Sequence, residues 1–436
     1  MERTNKSFAP KSGSRQTHVF NSSIRSPYNS RGTASTSRYS PNRSSGGNSS
    51  YRSTQRTGGS RGISKKGMGK YINPALFVQR AVVTEVMEQF VPEHAFADFQ
   101  IDERLKKNII NKGYILPTPI QDRSIPHVLH GEDIVGIANT GTGKTAAFLI
   151  PLIHKVLSAP KENILIMCPT RELALQIDEE LKGFTGGMRL ASVCAVGGTP
   201  IGKQIRDLRY RNEFVIGTPG RIKDLVERGV LNLSHFSTVV LDEADRMLDM
   251  GFINDMRLLL KAMPTPRHTL FFSATLSPEI KTLIGEFLKN PVMISVKTQD
   301  TGKNIDQDIV RVGRDQNKMD VLHDLLNQKD FNKVLIFGRT KHGVEKLSHM
   351  LTERGFKAES IHGDKNNSGR QRALAAFKEN RAQILVATDV AARGLDIPAV
   401  SHVINFDVPG TYEDYVHRIG RTGRAGKTGK AFTFVD

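Results

Sequence analysis

At 436 residues the chain is too long for one typical domain and fits two or three of roughly 150 residues each. Its formal net charge of +18 points to a polyanionic partner, yet residues 1–70 hold fourteen Lys/Arg against one acid, Glu2, so the remainder is only mildly cationic. The two cysteines, Cys168 and Cys194, each lie inside an apolar run, which excludes a disulfide-built scaffold and argues against a cysteine metal centre.

No apolar stretch approaches the roughly 18 residues of a membrane span, and the N-terminus has no apolar signal core. The expectation is a soluble, cytoplasmic monomer without membrane contact, or an organellar protein if the Arg- and Ser-rich, acid-poor N-terminus is a transit peptide. Residues 1–70, rich in Ser, Arg, Asn and Gly with single tyrosines at Tyr28, Tyr39 and Tyr51, are expected to be disordered, since they hold too little apolar surface to offset ordering entropy. Their arginines and tyrosines suit non-specific RNA binding through phosphate charge and base stacking; a solubilising tail is the alternative.

The first α/β domain is expected over 71–297, with residues 71–91 as a flanking helix, because apolar residues from Ala75 to Phe90 recur at helical spacing. Within it, short apolar runs at 134–137, 164–168, 191–196, 214–216, 238–241 and 269–272 alternate with helical stretches, the pattern of a parallel sheet covered on both faces. The polar stretch 298–308, containing Gly302, reads as a linker. The same grammar restarts over 309–436, with strands expected at 334–337, 384–387, 403–406 and 431–434.

Behind the first strand lies Ala138-Asn139-Thr140-Gly141-Thr142-Gly143-Lys144-Thr145. A strand feeding a glycine-rich turn that opens a helix aims successive backbone N–H groups and a helix dipole at one point, which suits a polyphosphate. Lys144 would reach the β and γ phosphates, and the Thr145 hydroxyl would hold Mg²⁺. Ala138 stands where the strict phosphate-loop pattern has glycine, so the match is to a variant. At the end of the run 238–241 follow Asp242-Glu243-Ala244-Asp245, where Asp242 can hold the Mg²⁺ and Glu243 can polarise the attacking water. The second half has no phosphate loop of its own, which suggests one site shared across a cleft.

These motifs resemble the DEAD-box family of ATP-dependent RNA helicases, over about residues 92–436, and the resemblance implies two tandem RecA-like domains. It implies that Phe96 stacks on adenine while Gln121, in Gly113-Tyr114-Ile115-Leu116-Pro117-Thr118-Pro119-Ile120-Gln121, pairs with the adenine edge. It places the RNA backbone on Pro169-Thr170-Arg171, Gly197-Gly198 and Thr218-Pro219-Gly220-Arg221, and couples the two ligand sites through hydroxyls of Ser273 and Thr275 bonded to Asp245. In the second half Asn367 stands where the family usually has glutamine, leaving Arg370 as a phosphate contact. Thr388 would lie near RNA and Asp396 on the ATP ribose. In His417-Arg418-Ile419-Gly420-Arg421-Thr422-Gly423-Arg424, Arg421 and Arg424, three apart on one helical face, would present planar forks to the γ-phosphate.

The expected activity is RNA-stimulated ATP hydrolysis, with ATP and Mg²⁺ as cofactors, that locally separates RNA duplexes or remodels RNA–protein complexes as the domains close on single-stranded RNA. Two alternatives stay open at this point: an ATP-gated RNA clamp or annealing factor, and a DNA helicase.

Overall fold

The computed structural model describes residues 73–81, 90–139, 141–296, 304–392, 400–423 and 428–435. The tail 1–70, residues 82–89 of the flank, most of the expected linker, Thr140, Asp396 and Arg424 lie outside the described residues.

The first sheet is formed by β1 (Ile134–Ala138), β2 (Ile164–Met167), β3 (Ser192–Ala195), β4 (Phe214–Gly217), β5 (Thr238–Leu241), β6 (His268–Ser273) and β7 (Val292–Val296), in the order β3-β4-β2-β5-β6-β1-β7 and parallel throughout. The second contains β8 (Ile305–Arg311), β9 (Val334–Phe337), β10 (Ala358–Ile361), β11 (Ile384–Ala387), β12 (His402–Asn405) and β13 (Gly429–Val435), in the order β10-β11-β9-β12-β13-β8, also parallel. Side chains alternate between sheet faces and both faces carry helices, so central strands such as β2, β9 and β11 are apolar at every position. In β2, Ile164 and Ile166 enter one core while Leu165 and Met167 enter the other. No described helix is long and apolar enough to cross a membrane.

Several helices start at a Thr or Ser that closes the preceding loop. Thr118, Thr218 and Ser277 each precede a proline in the first helical turn, and Thr170 accepts a hydrogen bond from the Leu173 N–H at 3.3 Å. These caps fall at the C-terminal edge of the first sheet, so the sequence that starts each helix also delivers a motif to one rim.

Two boundaries differ from expectation. The flank is a 3₁₀ turn, Pro74–Phe77, followed by an isolated antiparallel bridge between Gln79 and Gln307, and Phe77 is buried in the core of the second sheet rather than the first. Proline and Asn73, whose side chain accepts from the Ala75 N–H, favour a tight turn there over a continuous helix. The expected linker also yields its C-terminal part to β8, whose polar residues belong to a sheet edge.

A buried histidine makes the second domain sensitive to acid. His402 stacks on Phe331 at 3.8 Å and lies parallel to Phe432 at 6.1 Å, and burial pulls its pKa down to about 4. The unfolded chain therefore binds a proton here between about pH 6.5 and 4 that the folded chain refuses, so stability falls as pH falls through that window. Urea midpoints at pH 7.5 and 5 should drop less for His402→Phe than for the wild type; equal drops would remove His402 as the cause.

Candidate active site and nucleic-acid groove

The phosphate loop is held by the stretch that precedes it in sequence. The Gln121 Nε2 donates to the Gly143 carbonyl at 3.1 Å, the Thr118 hydroxyl donates to the Thr142 carbonyl at 2.8 Å, and Gln121 Oε1 accepts from the Thr118 N–H at 2.9 Å. Gly143 has φ +94°, and a Cβ there would collide with the Gln121 amide, so this position requires glycine. Both ends of the Gln121 amide are engaged by protein, and Phe96 is buried edge-on against Phe99 and Tyr114, at 6.1 and 5.8 Å. Tyr114, rather than Phe96, lines the adjoining cleft of about 450 Å³, together with Gly141, Gly143, Lys144, Thr145, Asp242 and Glu243. The stacking expected of Phe96 is therefore not open in this structure, because its ring is part of the core.

Lys144 is buried and donates to the Ala138 carbonyl at 2.8 Å. Because β1 and β5 flank β6, the end of the phosphate loop and Asp242 face one another, and the Lys144 charge is felt at the Asp242 carboxyl. Burial pushes the Asp242 pKa up, and Lys144 opposes that rise. A buried carboxylate beside the Thr145 hydroxyl and a phosphate-shaped loop is an oxygen donor set that fits Mg²⁺, which keeps several waters and needs only one or two protein oxygens.

Glu243 sits in the left-handed region at φ +52°, a conformation a glutamate rarely adopts. Its Oε2 pairs with Arg246 at 3.0 Å, and Arg246 in turn lies 3.3 Å from His417 Nδ1 on the second domain. Asp245 is the hub expected of it: its Oδ2 accepts from the Ala274 N–H, the Thr275 N–H and the Thr275 hydroxyl at 3.1, 2.9 and 3.1 Å. Ser273 departs from expectation, since its hydroxyl donates to the Thr275 carbonyl at 2.8 Å and not to Asp245. It braces the turn; Thr275 makes the link.

The residues expected to grip nucleic acid gather in a second cleft of about 400 Å³, where Pro169, Thr170, Arg171, Gly197, Thr218, Gly220 and Arg221 of the first domain meet Gly363, Arg370 and Val390 of the second. Gly198 is behind Arg171, at φ +72°, and a Cβ there would run into the guanidinium, so the glycine leaves room for the arginine. Pro219 opens the helix Pro219–Glu227, and Arg221 donates to Gln204 Oε1 at 3.1 Å. Thr388 closes β11 at the same rim. Arg370 borders the cleft, but its guanidinium is taken by Glu172 of the first domain at 2.9 Å, and both groups are buried. A buried carboxylate needs a charged partner, so in this structure Arg370 joins the two domains through one guanidinium nitrogen.

Arg421 is buried and borders a third cleft, of about 180 Å³, with Asn139 of the phosphate loop, Arg246, Thr275 and His417. Arg418 was not singled out from the sequence. Its guanidinium grips both oxygens of Asp389 at 2.6 and 2.7 Å, donates to the Asp407 carbonyl at 2.7 Å, and lies over the Phe337 ring. Its position beside glycines and a second arginine carried no signal that separated a structural from a phosphate-binding role.

A phosphate loop, a buried acid pair and an arginine-bearing helix from a second RecA-like sheet define a nucleotide-driven two-domain motor of the helicase type. The comparisons agree. The DEAD/DEAH box helicase profile matches residues 118–283, and the helicase conserved C-terminal domain matches residues 317–426. The chain is 47% identical over 343 residues to the ATP-dependent RNA helicase CshA of Listeria monocytogenes, covering 78% of this chain and 66% of that protein. It is 46% identical over 342 residues to the DEAD-box ATP-dependent RNA helicase CshA of Bacillus subtilis, covering 78% of this chain and 69% of that one. The solved structure of Mss116p bound to single-stranded RNA and AMP-PNP superimposes with a TM-score of 0.71 at 30% identity, covering 79% of this chain and 76% of that one. Dbp5 of S. cerevisiae bound to RNA and ADP BeF3 gives a TM-score of 0.69 at 29% identity, covering 78% of this chain and 89% of that one. This chain belongs to the DEAD-box family of ATP-dependent RNA helicases.

Proposed function

We propose that the chain is an RNA-stimulated ATPase that separates short RNA duplexes or remodels RNA–protein complexes by closing its two domains on single-stranded RNA. The observation that carries this reading is that the groove is built from both domains: Arg171, Gly197 and Thr218 on one side, Gly363 and Val390 on the other. A strand bound there favours the closed arrangement, and so does a nucleotide held between Lys144 and Arg421. Two ligands that favour one state raise each other's affinity.

In this reading ATP phosphates take up the N–H groups of the loop 140–144, with Thr142, Gly141 and Gly143 as its wall. Lys144 leaves the Ala138 carbonyl for the phosphate. Mg²⁺, held by Thr145 and Asp242, would supply charge neutralisation of the phosphates. Glu243 accepts a proton from the attacking water, while Arg421 and Arg424 place positive charge on the γ-phosphate; Asp396 would hold the ribose. Gln121, which already fixes Gly143, would report an adenine at the loop. Glu243 reaches the second domain through Arg246 and His417, while Asp245 ties the turn after β6 to its own helix through Thr275. The basic tail 1–70 adds sequence-independent RNA affinity.

The test is steady-state ATP hydrolysis by the full chain with Mg²⁺, titrated with single-stranded RNA and separately with DNA of the same sequence. RNA should stimulate turnover and DNA should not, because backbone readout that prefers RNA depends on 2′-hydroxyls. Equal stimulation by DNA would reject the RNA assignment.

A further inference from the structure

The flank 73–81 touches the machinery of turnover from outside both clefts. Phe77 is 1% exposed while its neighbours Leu76 and Val78 are half exposed, so one side chain anchors the segment. Its ring packs on Tyr415 with centroids 4.6 Å apart. Two residues on, the Gln79 N–H donates to the Gln307 carbonyl at 3.0 Å and the Gln307 N–H donates to the Gln79 carbonyl at 2.7 Å, which covers the edge strand β8. The Tyr415 hydroxyl donates to Gln307 Oε1 at 2.8 Å, and the Ala81 N–H donates to Asp306 Oδ1 at 2.9 Å. Phe77, Gln79, Gln307 and Tyr415 thus form a closed ring of contacts joining three segments. Tyr415 belongs to the helix Tyr412–Ile419, which carries His417 and leads directly into Arg421.

We infer that Phe77 and Gln79 are positioning residues for ATP turnover: the flank fixes the helix Tyr412–Ile419 against β8, so that His417 meets Arg246 and Arg421 arrives in register with the phosphate loop. The inference rests on the RNA-stimulated ATPase reading. A group that acts only as the domains close changes the rate and not the ground-state affinity, and displacement of a catalytic group by about 1 Å can cost 10²-fold.

The experiment measures kcat, the KM for ATP and the RNA concentration for half-maximal stimulation in the full chain carrying Phe77→Ala, Phe77→Leu or Gln79→Pro, at 10 and 30 °C. Proline removes the N–H that donates to the Gln307 carbonyl and the side-chain oxygen that accepts from Gln307 Nε2, at a position outside the core. Phe77→Ala and Gln79→Pro should each lower kcat about tenfold at both temperatures, with both half-saturation values within about twofold of wild type, and Phe77→Leu should restore most of the rate. Wild-type kcat in both Phe77→Ala and Gln79→Pro would overturn the inference. So would a loss present at 30 °C and absent at 10 °C, which would mark the flank as a stability element only. If the wild-type chain itself shows no RNA-stimulated turnover, the reading of the site fails first.

Discussion

Replacing Glu243 with glutamine should lower RNA-saturated ATP turnover by about 10²- to 10⁴-fold while leaving ATP and RNA binding close to wild type. This carboxylate is proposed to take the proton from water, since Asp245 accepts from Ala274, Thr275 and the Arg246 N–H and Asp242 faces Lys144. Glutamine keeps the length and can still meet Arg246, so the bridge from Glu243 through Arg246 to His417 loses charge but keeps shape. That separates two roles the position could have. If Glu243 served mainly to hold Arg246, the glutamine variant would lose thermal stability and keep turnover; if it is the base, the melt is preserved and kcat collapses. The left-handed backbone at φ +52° argues for the second, because strain of roughly 1–3 kcal/mol at a non-glycine residue persists only where the surroundings impose it. A chain with Glu243→Gln that turns over at the wild-type rate would remove Glu243 from the chemistry.

Most of the fold was legible because the central strands are short, apolar and closed by recognisable turns: 164–168, 238–241, 334–337 and 384–387 all lie in sheet interiors where both faces are buried. The strands that escaped notice are those that burial constrains least. β7 and β8 are edge strands with exposed positions, and β10, Ala-Glu-Ser-Ile, is half exposed at the opposite edge of its sheet. β8 in particular looks like a linker because its Asp and Gln side chains bond the flank and Tyr415 and not a hydrophobic core. The placement of the site was legible where chemistry demands a residue type: Lys144 and Asp242 line one cleft, and Asp245 bonds Thr275. It was not where two identical side chains do different work. Arg370 looks like a phosphate ligand in sequence and Arg418 carried no reading of its own; they are paired with Glu172 and Asp389, a fact that only long-range packing reveals.

The same distinction governs the arginine-rich helix end. Arg421→Ala should lower RNA-saturated kcat by about 10³-fold or more with little change in thermal stability, because an arginine that meets the γ-phosphate as the domains close contributes on that scale. Arg421 borders the cleft where Asn139 of the phosphate loop meets Thr275 and His417, so its contribution depends on both domains being present. Arg421→Lys should recover only a small part, since an ammonium cannot reproduce the planar two-pronged contact of a guanidinium. Arg418→Ala provides the contrast. It removes the donor shared by Asp389, the Asn405 side-chain oxygen and the Asp407 carbonyl, leaving buried acceptors unpaired, so this variant should unfold at markedly lower temperature. Three residues apart, Arg421 is proposed to act on the ligand while Arg418 holds Asp389, the residue after Thr388. If Arg421→Ala instead melts early and retains its rate per folded molecule, Arg421 is a second structural arginine and the γ-phosphate contact must come from elsewhere in the motif.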